Sequence, residues 1–456
     1  MVDPEPFKIK MVKSLKRLSR EERKKKIEES GYNVFKLKSQ DVFIDLLTDS
    51  GTTAMSDVQY SEMLKTEQAY AGSNSYYDLE KTVKEIFGFQ KFIIVHQGRA
   101  AENVLFSNLI EKGDLVPNNM HFDTTRANVK HKGGKPIDLV RDEAYETKEK
   151  VDFKGNMDTE KLTEIIEEHG QEKIPLIMLT ITNNTGGGQP VSMRNIERVA
   201  EIADQYEIPF FFDACRFAEN AHFIKQREKG YGDKSIKEIT KEMFSYVDGF
   251  TFSAKKEGLV NIGGLIGIRD DELFTECKNL SIIIEGFPTY GGLACRELAA
   301  MAQGLREATT ESYQKYRYEQ VQYLAKKLIE KNVPIIEPPG GHAVFVDVKR
   351  FLPEIPQENF PSQALTTELY KEYGIRAVEL GTSAFGETDE EGNIIPAEME
   401  TMRLAIPRRV YTLNHLDYVA ESLGKLYQDR KKIGGLKRTY APELLGHFMA
   451  EFEPIE

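Results

Sequence analysis

The stretch DGFTFSAKKEGLVNIGGLIG, Asp248 to Gly267, places two adjacent lysines between two apolar segments that are typical of β-strands. Paired ammonium groups at this position have two explanations. One is a turn at the protein surface. The other is a lysine that forms a covalent bond with an aldehyde, because a cationic neighbour and partial desolvation lower the pKa of a lysine and free its amine as a nucleophile. The rest of the chain has to distinguish between them.

The composition limits the class of protein. The chain has 456 residues, of which 40% are hydrophobic, so it can build a large core, divided between two domains. Its net charge of −12 argues against nucleic acid as a partner, because phosphates call for a clustered basic face. No apolar run approaches the ~20 residues that span a bilayer, which indicates a protein that is not inserted in a membrane.

The N-terminal segment and the cysteines indicate the cellular compartment. The first residues, MVDPEPFKIKMVKSLKRLSREERKKKIEES, lack the apolar core of a secretory signal. The three cysteines, Cys215, Cys277 and Cys295, show no paired spacing. The simplest interpretation is a reducing cytoplasm, without a metal or disulfide framework.

From about residue 80 the chain alternates between two patterns. Short continuous apolar runs are separated by amphipathic segments with helical spacing, and this predicts a mostly parallel sheet covered on both faces. The predicted strands are KFIIVH, IPLIMLTIT, IPFFFDAC, VDGFTFSA and GGLIGIRD, and the predicted helices are LEKTVKEIFGF, RAAENVLFSNLIEKG, TEKLTEIIEEHG and RNIERVAEIADQYE. In such an α/β fold the ligand lies beyond the carboxyl ends of the strands.

The pattern changes from about residue 311. YQKYRYEQVQYLAKKLIEKN is typical of a long helix, and GGHAVFVDV and TMRLAIP are typical of strands. We therefore predict a large domain over residues 49–310 and a smaller α+β domain formed by residues 1–48 and 311–456.

Polar residues follow the predicted strands directly. Gln97, Gly98 and Arg99 stand between a strand and a helix, where backbone N–H groups and a guanidinium suit a phosphate, although an ordinary turn between strand and helix is the simpler explanation. Asn184 stands before three glycines, which allow a ligand to approach closely or merely form a long turn.

A carboxylate and a lysine follow two later strands. Asp213 ends a very apolar strand, so it needs a partner, which either a pyridinium nitrogen or the nearby Arg216 can provide. Lys256, with Lys255 beside it, follows the next predicted strand. Together these residues meet the needs of pyridoxal phosphate: a phosphate cradle, an acid for the ring nitrogen and a lysine for the aldehyde.

The motifs extend the argument to a family. The segments DVFIDLLTDSGTTAMS, AYAGSNSYY, HQGRAAEN, GGGQPVS, RFAENAHFIKQRE, SAKKEGLVNIGG, EGFPTYGGLA, GGHAVFVD and RLAIPRRVYT resemble, essentially end to end, the aromatic amino acid β-eliminating lyases, tryptophanase and tyrosine phenol-lyase. The resemblance implies the aspartate-aminotransferase-like fold (fold type I) of pyridoxal phosphate enzymes, with a seven-stranded sheet in the large domain, and a homotetramer with active sites shared between subunits.

The resemblance also implies roles for individual residues. Lys256 would bind the cofactor and act as the base, and Asp213 would pair with the ring nitrogen. The other cofactor contacts would be Gln97, Gly98, Arg99, Ser253 and Lys255 at the phosphate, Phe122 on the ring face, and Asn184 and Arg216 at the ring oxygen. The substrate would contact Arg403, with Thr48 or Ser50, at its carboxylate, and Asn184, Asp123, His447, Tyr70 and Tyr290 elsewhere, the two tyrosines from a neighbouring subunit.

Three positions separate the two activities within the resemblance. Tyrosine phenol-lyases carry a threonine after the stacking phenylalanine, an arginine in a MERG motif and two consecutive phenylalanines near the C-terminus. This chain has Asp123, Leu380 and His447 followed by Phe448, as tryptophanases do. Because Leu380 cannot pair with a phenol hydroxyl, an unpaired buried hydroxyl there would cost on the order of 1–3 kcal/mol. We therefore expect cleavage of tryptophan to indole, pyruvate and ammonia.

The chain departs from the family pattern at several positions. Ala100 replaces a glycine near the phosphate, Asn128 a histidine near Asp123, and Gly446 an arginine before His447. Gln68 replaces a glutamate of a potassium site whose other members, Gly51 and Asn261, remain. A neutral amide supplies no charge, which argues against activation by the cation.

Two alternatives to tryptophan cleavage remain. The same chemistry could act on tyrosine or on an S-substituted cysteine. The chain could also be a binding or scaffold protein that has kept the fold and lost catalysis, which the presence of Lys256, Asp213 and Arg403 opposes.

Overall fold

The computed structural model describes residues 4–389 and 391–455. Within them the chain divides into two compact units. The central unit contains Ser50–Ala144 and Val151–Arg317, and the terminal unit contains the described parts of Met1–Asp49, Tyr145–Lys150 and Tyr318–Glu456. Each unit has its own layered arrangement of strands and helices.

The helices and strands have the following bounds. The strands are β1 (Ile44–Asp45), β2 (Phe92–Val95), β3 (Leu115–Asn118), β4 (Lys135–Asp138), β5 (Ile177–Thr180), β6 (Phe210–Asp213), β7 (Gly249–Ser253), β8 (Gly264–Ile268), β9 (Ala343–Asp347), β10 (Ile375–Arg376), β11 (Val378–Leu380), β12 (Glu387–Thr388), β13 (Ile394–Ile395), β14 (Thr401–Ala405), β15 (Leu436–Tyr440) and β16 (Glu451–Pro454). The α-helices are α1 (Arg20–Glu29), α2 (Asp57–Leu64), α3 (Asn74–Phe87), α4 (Gly98–Leu109), α5 (Asp123–His131), α6 (Thr159–His169), α7 (Met193–Gln205), α8 (Phe217–Arg227), α9 (Ile236–Ser245), α10 (Asp271–Ile284), α11 (Cys295–Ala308), α12 (Glu311–Glu330), α13 (Val348–Phe351), α14 (Pro361–Tyr373), α15 (Thr382–Phe385) and α16 (Leu413–Gln428).

The central unit is built on a mixed sheet of five strands in the order β2-β8-β7-β6-β5. Strands β5, β6 and β7 are parallel, whereas β8 runs antiparallel to both of its neighbours. Strands β3 and β4 form a separate parallel pair. The Asn119 side chain joins this pair to β5, because its Nδ2 donates to the Thr180 carbonyl at 3.0 Å and its Oδ1 accepts from the Thr180 N–H at 2.9 Å. The seven strands that we expect are therefore present, divided into five and two.

The buried runs of the sequence explain the sheet. Every residue of β2, β5, β6 and β7 is buried, as continuous apolar strands between two helical layers require. Phe87 of α3 lies between the rings of Phe217, Phe244 and Phe250, with centroids 4.6–5.1 Å apart. Burying each such side chain contributes about 1.5–3 kcal/mol, so this cluster holds helices firmly against the sheet. The ends of the parallel strands are thereby fixed in space.

The terminal unit contains a second, smaller sheet with the order β11-β14-β9, in which all pairs are antiparallel. Strands β1 and β10 form a short parallel pair that joins the N-terminal segment to this unit. A buried ion pair between Arg408 Nη1 and Asp49 Oδ2, 2.9 Å apart, holds the end of the same segment. No helix among the described residues is both long and apolar enough to cross a membrane.

Candidate cofactor and substrate site

The predicted site residues of the central unit follow its strands. Asp213, the last residue of β6, is paired in register with Thr180 of β5 and Thr251 of β7. Because these strands are parallel, their carboxyl ends lie along one edge of the sheet. The loops after β5, β6 and β7 carry Asn184, Arg216 and Lys256, and this edge therefore gathers residues that are far apart in the sequence.

The turn before α4 has the form of an anion cradle. Gln97 precedes the helix, and Gly98 begins it. A Cβ placed on Gly98 would lie 2.7 Å from Cβ of Ser253, so a side chain larger than hydrogen does not fit between the turn and β7. The first N–H groups of a helix have no partner within the helix and attract anions. Ser253, predicted as a phosphate contact, thus lies against the turn that carries Gln97 and Gly98.

The two lysines of the opening stretch lie in a fixed loop. The Lys256 N–H donates to the Ser253 carbonyl at 3.2 Å, and the Lys255 carbonyl accepts from the Gly51 N–H at 2.7 Å. Burial lowers the pKa of Lys255, and the positive charges of Lys256 and Arg99 lower it further. The positive charges of Lys256 and Arg99 are therefore close enough to affect the Lys255 amine, although the Arg99 side chain itself is exposed.

The pKa of the Cys215 thiol depends on the charged groups around it. Burial raises the pKa of Cys215, the Asp213 carboxylate raises it further, and the positive charges of Lys256 and Arg216 oppose the rise. Asp213 is itself buried, and its Oδ1 accepts from the Cys215 N–H at 3.4 Å. Asp213 and Arg216, predicted from one motif, and Lys256, predicted from another, thus all influence the half-buried Cys215 thiol.

Glu102 is a residue of this region that sequence reasoning missed. It lies on α4 and is buried, and its carboxylate accepts hydrogen bonds from Thr125 Oγ1 at 2.6 Å and Asn128 Nδ2 at 3.1 Å, both on α5. Burial, followed by the charge of Asp213, raises the pKa of Glu102 to about 7. A glutamate within the apolar helix pattern of GRAAENVLF was the available signal.

Through this contact Glu102 holds the start of α5, where two predicted residues stand. Phe122 immediately precedes the helix and Asp123 is its first residue. The Asp123 carboxylate is buried and accepts from the Thr124 N–H at 2.6 Å. Asn128, which replaces the histidine of the family pattern, therefore helps to anchor the segment that carries Phe122 and Asp123.

These residues fit pyridoxal phosphate. The narrow turn at Gly98 suits a phosphate, Asp213 is a buried carboxylate for a pyridinium nitrogen, and Lys256 is a lysine at the same edge of the sheet. Lys255 and Arg99 add positive charge beside the turn. Among the described residues no group of His, Cys, Asp and Glu side chains is arranged to hold a metal ion.

Tyr70 and Tyr290 contact each other within the central unit. Their ring centroids are 5.3 Å apart in an edge-to-face arrangement. Tyr70 is 74% exposed, and a hydrogen bond with Tyr290 raises its pKa. The two predicted tyrosines are thus brought together at the surface of the chain.

The predicted residues of the terminal unit lie on its sheet and near its C-terminus. Arg403 is buried on β14, and its Nη2 donates to the Leu47 carbonyl, next to Thr48, at 3.2 Å. His447 is buried, with its ring 5.9 Å from that of Phe35. Leu380 ends β11, the neighbour of β14.

The members of the predicted cation site divide into two groups. Asn261 Nδ2 donates to the carbonyl of Gly51 at 3.0 Å, so these two residues are in contact. Gln68 lies on an exposed part of the chain. The amine of Lys255 also lies near Gly51, 3.7 Å from the position that a Cβ on this glycine would take.

Comparison with known proteins places this site in a family. The model of the β-eliminating lyases matches residues 45–422. Tyrosine phenol-lyase of Clostridium tetani is 49% identical over 98% of this chain and 98% of its own length. A second tyrosine phenol-lyase, from Lacrimispora saccharolytica, is 50% identical over 99% and 97%, and tryptophanase of Salinibacter ruber is 48% identical over 99% and 95%.

More distant solved structures share the fold. A complex of SepCysS with the N-terminal domain of SepCysE aligns over 86% of this chain and 96% of that chain, with a TM-score of 0.55 and 13% identity. A Pyrococcus protein, A1, aligns over 90% and 97%, with a TM-score of 0.61 and 14% identity. The family match covers most of the chain, and the chain belongs to the β-eliminating lyases, a family that implies pyridoxal phosphate as the cofactor.

Proposed function

We propose that the protein catalyses the β-elimination of L-tryptophan to indole, pyruvate and ammonia with pyridoxal phosphate. The observation that carries the proposal is the position of Asp213 at the end of β6, in register with the end of β7, whose following loop carries Lys256, in a chain of this family. Bound pyridoxal phosphate supplies an electron sink for the negative charge that develops at the substrate's Cα. The chain's own residues bind the substrate and move its protons.

The residues of the central unit have distinct tasks in this proposal. Gln97, Gly98, Arg99, Ser253 and Lys255 bind the phosphate, Phe122 covers the ring face, and Asn184 and Arg216 hold the ring oxygen. Asp213, as a carboxylate, keeps the pyridine nitrogen protonated. Lys256 first holds the cofactor and then accepts the proton from Cα, a task for which its amine must be neutral.

Substrate binding and departure of the leaving group use other residues. Arg403 binds the substrate carboxylate with its planar guanidinium, assisted by Thr48 or Ser50. Tyr70 donates a proton to C3 of the indole ring, and the electrons of the broken Cβ–Cγ bond remain with the departing indole. Asp123 and His447 hold the indole N–H, and Tyr290 supports Tyr70. Hydrolysis of the remaining three-carbon fragment gives pyruvate and ammonia.

The choice of tryptophan rests on three side chains. Asp123 and His447 are polar partners for an indole N–H, and Leu380 has no group that can pair with a phenol hydroxyl. Sites that are built to hydrogen-bond one substrate group can reject analogues that lack it by several orders of magnitude.

Cleavage of L-tyrosine to phenol is the second candidate, and a specific observation favours it. Several relatives that are 47–50% identical to this chain are tyrosine phenol-lyases. Indole and phenol release from the same enzyme preparation, measured as kcat/KM for the two amino acids, distinguishes the candidates. We expect a higher kcat/KM for tryptophan, and a higher value for tyrosine would overturn the substrate assignment while leaving the reaction type intact.

The proposal extends to assembly and to a cation. A homotetramer in which Tyr70 and Tyr290 of one subunit serve the site of another agrees with the exposure of Tyr70.

Potassium binding at Gly51 and Asn261 is weakened by Gln68, whose neutral amide replaces a carboxylate, and by the nearby amine of Lys255. Oxygen ligands without a negative charge hold a hard cation less tightly.

A further inference from the structure

Glu285 and His96 form a chain of hydrogen bonds that leads to Gln97. Glu285 follows α10, and its side chain is 2% exposed. Its carboxylate accepts from the His96 N–H at 2.8 Å and from His96 Nδ1 at 2.7 Å. On the other side of the imidazole ring, His96 Nε2 lies 3.0 Å from Nε2 of the Gln97 amide. Three residues from two distant parts of the sequence are thus joined in one line.

The chemistry of the donors and acceptors gives each contact of the ring a direction. A carboxylate can only accept, so the proton of His96 is on Nδ1. With the Gln97 amide oriented as in the structure, its nitrogen donates to His96 Nε2. An amide nitrogen carries two hydrogens, and the second can donate to an anion at the start of α4. These hydrogen bonds therefore set the direction in which the amide nitrogen of Gln97 can donate to a ligand.

The backbone at this point is held as tightly as the side chains. The His96 carbonyl accepts from the N–H of Gly263, the residue immediately before β8, at 2.7 Å. A Cβ on Gly264 would lie 2.7 Å from the carbonyl carbon of Gln97, so the turn packs directly on the glycine. Because the backbone at His96 and Gln97 is held in place, the buried Glu285 acts on the Gln97 amide through the partly exposed His96 ring.

We propose that Glu285 and His96 are positioning residues that orient Gln97 toward the phosphate of the cofactor. Neither is assigned a contact with the cofactor, and both act through the Gln97 amide. The proposal rests on the proposed role of Gln97 in phosphate binding. Its consequence is specific to the phosphate: loss of the connection weakens the affinity for pyridoxal phosphate and leaves the affinity for pyridoxal, which lacks the phosphate, nearly unchanged.

The test is calorimetric titration of the full-length protein, freed of cofactor, with pyridoxal phosphate and separately with pyridoxal. A lost hydrogen bond to a charged group corresponds to a change of about tenfold in Kd, and we expect this for pyridoxal phosphate with Glu285→Ala and His96→Phe. We expect the Kd for pyridoxal to change less than about twofold. Glu285→Gln, whose amide oxygen can still accept from His96 Nδ1, should restore most of the phosphate preference, which also covers the case in which Glu285→Ala does not fold.

Glu228→Ala is the matched control, because Glu228 also accepts from two backbone N–H groups, those of Met193 and Arg194 at 2.7 and 3.0 Å, but at the start of α7. It should leave both affinities unchanged. An unaltered preference for pyridoxal phosphate in Glu285→Ala and His96→Phe overturns the inference, as does an equal loss of affinity for both ligands, which indicates a general structural defect. A wild-type protein that binds both ligands equally overturns the phosphate cradle itself, and with it the inference.

Discussion

At the scale of single residues, the environment of each side chain decides what it can do. Lys255 and Lys256 are adjacent in the sequence, but their proposed roles differ. Lys256 holds the cofactor, and the positive charge of Lys255 stabilises the negative charge of the phosphate. The lowered pKa of Lys255 follows from burial, from Lys256 and from Arg99. Under the proposed function, the two adjacent lysines therefore serve one cofactor in different ways.

Replacement of Lys256 by alanine is the most direct test at this scale. General base catalysis contributes about 10²–10⁴ in rate, so kcat for pyruvate release from Lys256→Ala should fall at least a hundredfold. Circular dichroism should show a folded protein, because the Lys256 side chain contributes little to the core. Turnover within about twofold of wild type would move the role of base to another group, with Lys255 as the first candidate.

A second residue-scale prediction concerns the cation. Gln68→Glu restores a carboxylate at the position where the family pattern has one, and a carboxylate binds a hard cation better than an amide. Activity in potassium buffer relative to sodium buffer should therefore rise in the variant more than in wild type. Identical ratios for the two proteins would show that position 68 is not a cation ligand.

At the scale of elements, the sequence allowed prediction of what depends on local pattern. The strands β2, β5, β6, β7 and β8 lie where the continuous apolar runs predict them, and the long helix α12 overlaps YQKYRYEQVQYLAKKLIEKN but begins two residues earlier, at Glu311. The division of the sheet between β5 and β3 could not be predicted, because it depends on an asparagine side chain that replaces backbone pairing. Hydrogen bonds between residues distant in sequence have no periodic signature.

The same limit applies to the candidate site. Asp213 and Lys256 could be predicted because each directly follows an apolar strand. The sequence analysis did not single out Glu102, in α4, or Glu285, just after α10, since a carboxylate in or next to a helix is usually solvated. Their partners, Asn128 and His96, become neighbours only through the packing of α4 on α5 and of α10 on the end of β2.

The burial of Glu102, together with the nearby charge of Asp213, makes the stability of the fold depend on pH. The pKa of Glu102 is raised from 4.5 to about 7 in the folded protein, so the folded state holds this proton more tightly than the unfolded chain does. The contribution of the protonated Glu102 to the free energy of unfolding is therefore full below pH 4.5 and is lost as pH rises through about 7. The loss is on the order of 3 kcal/mol. Glu102→Gln has no proton to lose, and its melting temperature should therefore rise relative to wild type between pH 5 and pH 8.

Thermal unfolding of the cofactor-free proteins across this pH range measures the difference. The subtraction of one protein from the other removes the contribution of all other titrating groups. A constant difference in melting temperature between the two proteins would mean that Glu102 titrates in the folded state as it does in the unfolded state.

At the scale of the whole molecule, exposed apolar side chains point to contacts between subunits. Ile283 is 83% exposed and Tyr70 74% exposed, and Phe287 is near Tyr70, with ring centroids 5.9 Å apart. Contiguous exposed apolar surface commonly marks a protein interface. In the proposed tetramer the segment around Tyr70 would serve a neighbouring subunit.

Mixing two inactive variants tests this sharing of sites. Lys256→Ala lacks the base and Tyr70→Phe lacks the acid. If Tyr70 acts in the site of a neighbouring subunit, mixed assemblies contain sites with an intact Lys256 from one chain and an intact Tyr70 from the other, and activity should return on mixing after dissociation and reassembly. No gain of activity in assemblies shown to be mixed would place Tyr70 in the site of its own chain or outside the site.

The central claim is that this chain performs β-elimination with pyridoxal phosphate, and pyruvate release tests it most directly. Purified protein with pyridoxal phosphate should be assayed on L-tryptophan, L-tyrosine, L-serine and S-ethylcysteine, with Lys256→Ala as the matched control. We predict that pyruvate appears from L-tryptophan in equal amount with indole and ammonia, and that Lys256→Ala abolishes it. Absence of pyruvate from all four amino acids, from protein that binds the cofactor, would contradict the account.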